Sequence, residues 1–176
     1  RFNTAQDHKR VGEGDKGNNT GGMGAYSPSG LINTELDKKI ITTIVSPTFE
    51  AIKDMEENYK GFLYVGLMIK DNNPYLIEYN VRMGDPECQT ILPLLSSDLL
   101  DLILSCCDET LENRDILWEE KKSMCVVLCS NGYPESYKKN VEIPNIENIK
   151  NNDSLFIYHA GTEKKDNKVY ANGGRV

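Results

Sequence analysis

Between residues 76 and 87 the sequence reads LIEYNVRMGDPE, and every second position from 78 to 82 carries a strongly polar group. These are the carboxyl of Glu78, the amide of Asn80 and the guanidinium of Arg82. Side chains alternate across a strand, so positions i, i+2 and i+4 share a face, about 6–7 Å apart. Glu78 and Asn80 then offer two hard oxygen donors that can lean onto one cation between them. Mg²⁺ takes one or two such protein ligands and completes its octahedron with water and nucleotide phosphates. Arg82, one step further, is placed for bidentate hydrogen bonds to a carboxylate or phosphate brought up to that cation. Ile77, Tyr79 and Val81 fall on the other face, towards whatever covers the sheet. The same spacing also suits the solvated face of an antiparallel strand, with Glu and Arg as a surface pair worth little. E-x-N-x-R is too short a pattern to decide between the two.

A second chemical feature is glycine-rich. Residues 12–30, GEGDKGNNTGGMGAYSPSG, hold seven of the fourteen glycines, a composition that forbids a helix or a long strand and predicts a substantial loop. Gly12-x-Gly14-x-x-Gly17 formally matches the dinucleotide fingerprint, but no βαβ unit follows it, and no Gly-Lys-Ser/Thr marks a P-loop. Thr20, Gly21, Gly22, Met23 and Gly24 are better read as backbone N–H groups offered to a phosphate or acyl phosphate, the glycines permitting close approach. A surface loop without a ligand is the alternative. Asp7, His8, Lys9 and Arg10 adjoin this loop.

Several elements must position these groups. From Asn33 onward Leu36, Ile40, Ile41, Ile44, Val45, Phe49, Ile52 and Met55 recur at helical spacing, with Thr34 and Asp37 as an N-terminal cap. Pro47 predicts a kink or two short helices. GFLYVGLMI (61–69), the turn DNNP (71–74) and YLIEYNVR predict a β-hairpin that carries the polar face. Asp85-Pro86-Glu87 predicts a helix start with Asp85 as N-cap, a structural role that competes with substrate contact. The helical run ILPLLSSDLLDLILSCC is broken at Pro93 and near Ser97-Asp98. ETLENRDILWEEKK (109–122) is charged and reads as a linker. SMCVVLCS, VEI, SLFIYHAG and KVYANGGRV then predict short strands. The fold class is α+β, with residues 1–108 as one domain, 109–122 as the linker and 123–176 as the beginning of a strand-rich second domain.

Composition narrows the function. A formal net charge of −7 supplies no basic stripe for a nucleic-acid backbone. No apolar run approaches the roughly 20 residues needed to span a bilayer, and no secretory signal stands in the sequence. Five cysteines without a CxxC pair suit reduced, buried thiols in a cytoplasmic protein. His159, in YHAGT, reads as structural. The chain opens on RFNTAQDHKR and stops at NGGRV, and both ends are expected to be cuts within a longer protein.

AQDHKRVGEGDKG, NTGGMGAYSP, GFLYVGLMI, E-x-N-x-R, GDPECQ, GYP (132–134), HAGT (159–162) and NGGRV occur in that order. Together they resemble the phosphoribosylamine–glycine ligase family, ATP-grasp enzymes of purine synthesis, over nearly the whole chain. R-x-GDPE-x-Q, Arg82 to Gln89, is the most specific element. The resemblance implies the C-terminal half of an ATP-grasp domain, an antiparallel sheet with helices, followed by the start of the C-terminal domain. It implies ATP and Mg²⁺ or Mn²⁺ as cofactors. Glycine, 5-phosphoribosylamine and ATP are the implied substrates, and the remainder of the same polypeptide the implied partner. Glu78 and Asn80 are then metal ligands and Arg82 a catalytic residue steadying an acyl phosphate. Lys9 and Arg10 bind the 5-phosphate of phosphoribosylamine or the γ-phosphate, and Asp85 is a candidate substrate contact. A nucleotide-sensing module that keeps this fold without catalysis is the alternative.

Four positions depart from the family pattern. Met83 replaces Phe or Leu, Val81 replaces Cys, and Asn18 replaces a Pro whose loss is expected to loosen the loop. Gly66 stands where ATP-grasp relatives often carry a further metal-binding Glu, so only two protein ligands are implied.

Overall fold

The computed structural model describes residues 1–55, 59–150 and 152–176. These fall into two compact units. One is Arg1–Gln6 with Tyr26–Met124, the other Asp7–Ala25 with Cys125–Val176.

In the first unit Thr34–Ile40 form α1, Ile41–Val45 wind as a π-helical turn, and Ser46–Lys53 form α2 with Pro47 in its first turn. The expected break at Pro47 is therefore realised as two short helices joined by a wider turn, which spares proline's missing N–H. The cap lies one residue earlier than expected. Asn33, not Thr34, accepts the Leu36 N–H at 2.8 Å, and the Asp37 carboxylate pairs with Arg1 at 2.5 Å instead of closing a capping box. Leu36 and Ile40 are buried, whereas Met55 lies past the end of α2 and is exposed.

β5 (Tyr64–Lys70) and β6 (Asn73–Asn80) form the expected antiparallel hairpin. Asp71 and Asn72 take positive φ values of 51° and 57°, the left-handed pair that a tight hairpin turn needs and that Asp and Asn tolerate. Its ladder pairs Gly66 with Glu78 but Leu67 with Leu76, so Ile77 is an extra residue in a bulge just before Glu78.

After β6 the helix starts later than expected. Cys88–Ile91 form α3, with Glu87 in the cap position and no side-chain cap bond. Residues 85–87 are a turn closed by Cys88 N–H to Gly84 O at 2.9 Å, and Asp85 accepts from Gln89 Nε2 at 2.9 Å. A 3-10 turn at Leu92–Leu94 contains Pro93, and α4 (Leu99–Cys107) is capped by Asp98, which accepts from Asp101 N–H at 3.0 Å. The charged stretch beyond returns to this unit: Ser96 N–H donates to Leu117 O, Glu119 N–H to Leu94 O, and Trp118 lies edge-on to Phe2.

In the second unit the glycine-rich segment contains no helix, but it is more ordered than a plain loop. β2 (Arg10–Gly12) and β3 (Lys16–Asn19) make a bulged hairpin. β1 (Gln6–Asp7), β4 (Gly24–Ser27) and β7 (Ser123–Val126) form a sheet ordered β1-β4-β7. β8 (Val141–Glu142), β9 (Thr162–Lys165) and β10 (Lys168–Ala171) form an antiparallel sheet ordered β8-β10-β9. SLFIYHAG is not the strand its composition predicts. The ladder starts only at Thr162; Leu155 makes an isolated bridge to Asn152, and Leu155, Phe156 and Tyr158 stay about half exposed. Among the described residues no helix is long and apolar enough to cross a membrane.

Candidate functional site

β6 places Glu78 and Asn80 as their spacing demands. Ladder partners project to the same side of a sheet, so Glu78 goes with Gly66 and Asn80 with Tyr64. A Cβ built on Gly66 would lie 3.0 Å from Glu78 Cγ and 3.2 Å from the Tyr64 ring, which puts all four residues on one face. Gly66 thus removes a possible third carboxylate and also makes room for the Glu78 side chain. Tyr64 closes one end of this face by donating its hydroxyl to Glu87 Oε1 at 2.8 Å, and Glu87 is buried. That contact was not visible in the sequence, where Glu87 reads only as a helix-start residue.

The donor set fits a divalent cation. Among the described residues neither the Glu78 carboxylate nor the Asn80 amide has a hydrogen-bond or ion-pair partner, so both oxygens remain available on one face. No cluster of three or more His, Cys, Asp or Glu is gathered for a metal among those residues. A cation held here would draw its remaining ligands from water and phosphate.

The opposite face of β6 meets α2 through Tyr79, whose hydroxyl is 2.5 Å from Thr48 Oγ1. Ile77 and Val81 are not covered in this chain, at 63% and 76% exposed. Arg82 departs from expectation as well. β6 ends at Asn80, so Arg82 lies in the bend beyond it and not on the ladder; its Nη1 donates to Met83 O at 2.9 Å. Only one of the five guanidinium donors is used in that bond.

In the second unit Lys9, Arg10 and the glycine loop come together. Thr20 N–H and Thr20 Oγ1 both donate to Lys9 O at 2.8 Å, and Arg10 Nη1 donates to Gly17 O at 2.8 Å. The Lys9 ammonium is 2.6 Å from the buried Asp7 carboxylate. Asn18 does not leave the loop slack, because its amide donates to Glu135 Oε1 at 2.6 Å.

The loop amides fall into two kinds. Thr20 N–H and Met23 N–H are held by the backbone carbonyls of Lys9 and His8. Gly21 N–H and Gly22 N–H are held by side-chain hydroxyls, Tyr133 Oη at 2.9 Å and Thr20 Oγ1 at 3.0 Å. An arriving phosphate oxygen can replace a hydroxyl without breaking the sheet, so Gly21 and Gly22 are the exchangeable pair. Gly22 sits at φ 111°, a conformation that L side chains rarely adopt.

Comparison with known proteins identifies the family. The family model described as phosphoribosylglycinamide synthetase, ATP-grasp (A) domain, matches residues 1–88, and that described as phosphoribosylglycinamide synthetase, C domain, matches residues 123–176. The chain is 47% identical over 174 residues to the phosphoribosylamine–glycine ligase of Pasteurella multocida, covering 98% of this chain and 40% of that protein. It is 48% identical over 174 residues to the bifunctional purine biosynthetic protein PUR2,5 of Pichia angusta, covering 98% of this chain and 22% of that protein. The crystal structure of phosphoribosylamine–glycine ligase from Thermotoga maritima superposes with a TM-score of 0.83 at 34% identity, covering 99% of this chain and 42% of that one. The chain therefore spans about two fifths of the length of most of these relatives, and its α+β architecture is an ATP-grasp A-domain portion followed by a C-domain portion. Ordered motifs, a shared Glu78–Asn80 face and two matched domains place the chain in the phosphoribosylglycinamide synthetase family.

Proposed function

We propose that the protein carrying this chain is an ATP-dependent carboxylate–amine ligase that joins glycine to 5-phosphoribosylamine. The glycine carboxylate attacks the γ-phosphorus of ATP, giving glycyl phosphate as ADP leaves. The amine of phosphoribosylamine then attacks the acyl carbon, expels phosphate and gives up a proton. Glu78 and Asn80 hold Mg²⁺ or Mn²⁺, which when bound neutralises phosphate charge as two anions meet. Arg82 has guanidinium donors left over from its bond to Met83 O and directs them to the acyl phosphate. Phosphate oxygens take the Gly21 and Gly22 amides in exchange for hydroxyls, within the loop from Thr20 through Met23 to Gly24. Lys9 and Arg10 bring positive charge to that loop for the 5-phosphate or the γ-phosphate. Asp85, engaged by Gln89, orders the turn after the strand.

The observation that carries this reading is the pair of oxygens at 78 and 80 on one face, unpartnered among the described residues, in a chain matched along 98% of its length by ligase relatives. The full-length protein should release ADP only when glycine and phosphoribosylamine are both supplied. Nucleotide binding without such turnover would favour a sensing module with the same fold. Glu78→Gln should lower turnover about a hundredfold with unchanged thermal unfolding; full activity in that variant would remove the metal assignment. The 176 residues alone should show no ligase activity, because relatives use a chain of which this is about two fifths.

A further inference from the structure

We propose that Arg175 is a positioning residue for the glycine loop, acting on the peptide between Gly21 and Gly22. Its Nη1 donates to Gly21 O at 2.8 Å and to Gly22 O at 3.4 Å. Its guanidinium also lies flat against Gly21, where an added Cβ would fall 2.9 Å from Cζ and 3.0 Å from Nε and Nη2. A trans peptide is planar, with its N–H directed opposite to its C=O. Holding Gly21 O on the arginine side therefore turns the Gly22 N–H to the other side, and this is one of the two exchangeable amides.

The surrounding packing exists on a scale that suits this role. Gly174, next to Arg175, has no room for a side chain, since a Cβ there would lie 2.3 Å from the Tyr133 ring, and Tyr133 itself holds Gly21 N–H. Ser130 fixes the same segment twice, by N–H to Gly174 O and Oγ to Gly173 O, each at 2.8 Å. Gly161 and Gly173 then pack backbone on backbone, a Cβ on Gly161 reaching 2.6 Å from Gly173 Cα. NGGRV thus packs against both GYP and HAGT, and its Arg175 grips the loop 154 residues away in sequence. Arg is suited to the task because one guanidinium nitrogen reaches two carbonyls while the planar face packs on a glycine.

The inference rests on the loop being a phosphate site, and the experiment separates the two. In the full-length ligase, Arg175→Ala, Arg175→Met, Arg175→Lys and Gly22→Ala are compared for kcat, for KM of each substrate and for thermal unfolding. Arg175→Ala should raise KM for ATP or phosphoribosylamine about tenfold, the loss of one charge-assisted bond, with KM for glycine within twofold and unfolding unchanged. Met keeps the packing and loses the donors, so it should behave as Ala does, whereas Lys should recover part of the loss. Should Ala not fold, the Met and Lys pair carries the comparison. If Gly22→Ala impairs phosphate-substrate binding but the Arg175 variants do not, the positioning role is overturned and the loop site stands. If neither changes KM, both fall. An equal rise for all three substrates, or lower thermal stability with normal kinetics, would also overturn the inference.

Discussion

Replacing Gly66 by alanine tests the metal face without touching either proposed ligand. An alanine Cβ would lie 3.0 Å from Glu78 Cγ, 3.2 Å from Tyr64 Cε1 and 3.4 Å from Glu78 O. Ordinary carbon contacts sit at about 3.5–4.0 Å, so Glu78 must give by about half an ångström. Its side chain is exposed and free of protein partners among the described residues, so it can rotate, at about 0.5–1.5 kcal/mol for an off-rotamer χ. Alanine in place of glycine returns about 0.5–1 kcal/mol of backbone entropy in a strand. The two nearly cancel, and stability should stay within about 1 kcal/mol of wild type. Metal binding has no such offset, because the carboxylate is pushed out of line with Asn80. A displacement of this order should weaken the apparent Mg²⁺ or Mn²⁺ affinity about tenfold, below the roughly hundredfold cost of a full ångström. The assay is a metal titration of ADP formation by the full-length protein, beside its thermal unfolding. An unchanged metal midpoint in a folded variant would refute the argument that Glu78 acts from this face.

Three further outcomes follow from single contacts. Asn33→Ala should destabilise the first unit by about 1 kcal/mol in denaturant unfolding, since it removes the acceptor for Leu36 N–H, whereas Thr34→Ala should cost much less. Thr90→Val deletes a buried hydroxyl bonded to Glu87 O at 2.8 Å. That carbonyl keeps two N–H donors, from Thr90 and Ile91, so the loss should be about 0.5–1.5 kcal/mol and not the larger cost of an orphaned acceptor. The Cys88 thiol is pushed up by burial first and then by the Asp85 and Glu87 carboxylates. A raised thiol pKa means less thiolate at a given pH, so alkylation of Cys88 should trail that of exposed Cys107 and Cys129 and accelerate only on going to higher pH. Peptide mapping after timed iodoacetamide treatment at two pH values reads this directly; equal rates for the three cysteines would contradict it.

Local physics explains what was legible in the sequence. Two-residue periodicity placed Glu78 and Asn80 together because side chains alternate on a strand whatever lies around it. Asp71 and Asn72 announced the turn because few other residues tolerate positive φ, and Pro47 and Pro93 broke helices because they lack an N–H. Other features were settled only by tertiary structure. The strand stopped before Arg82, and the segment from Ser154 to Gly161 formed an isolated bridge and single backbone bonds, including those to Arg175 and Val176, but no ladder among the described residues, since a ladder continues only where a neighbour supplies its other half. The glycine loop's amides acquired owners: Tyr133, 112 residues downstream of Gly21, took one, and Arg175 turned the peptide that carries the next. Such contacts join groups with no fixed sequence separation, so no local pattern records them; folding alone brings a hydroxyl and a guanidinium to a glycine.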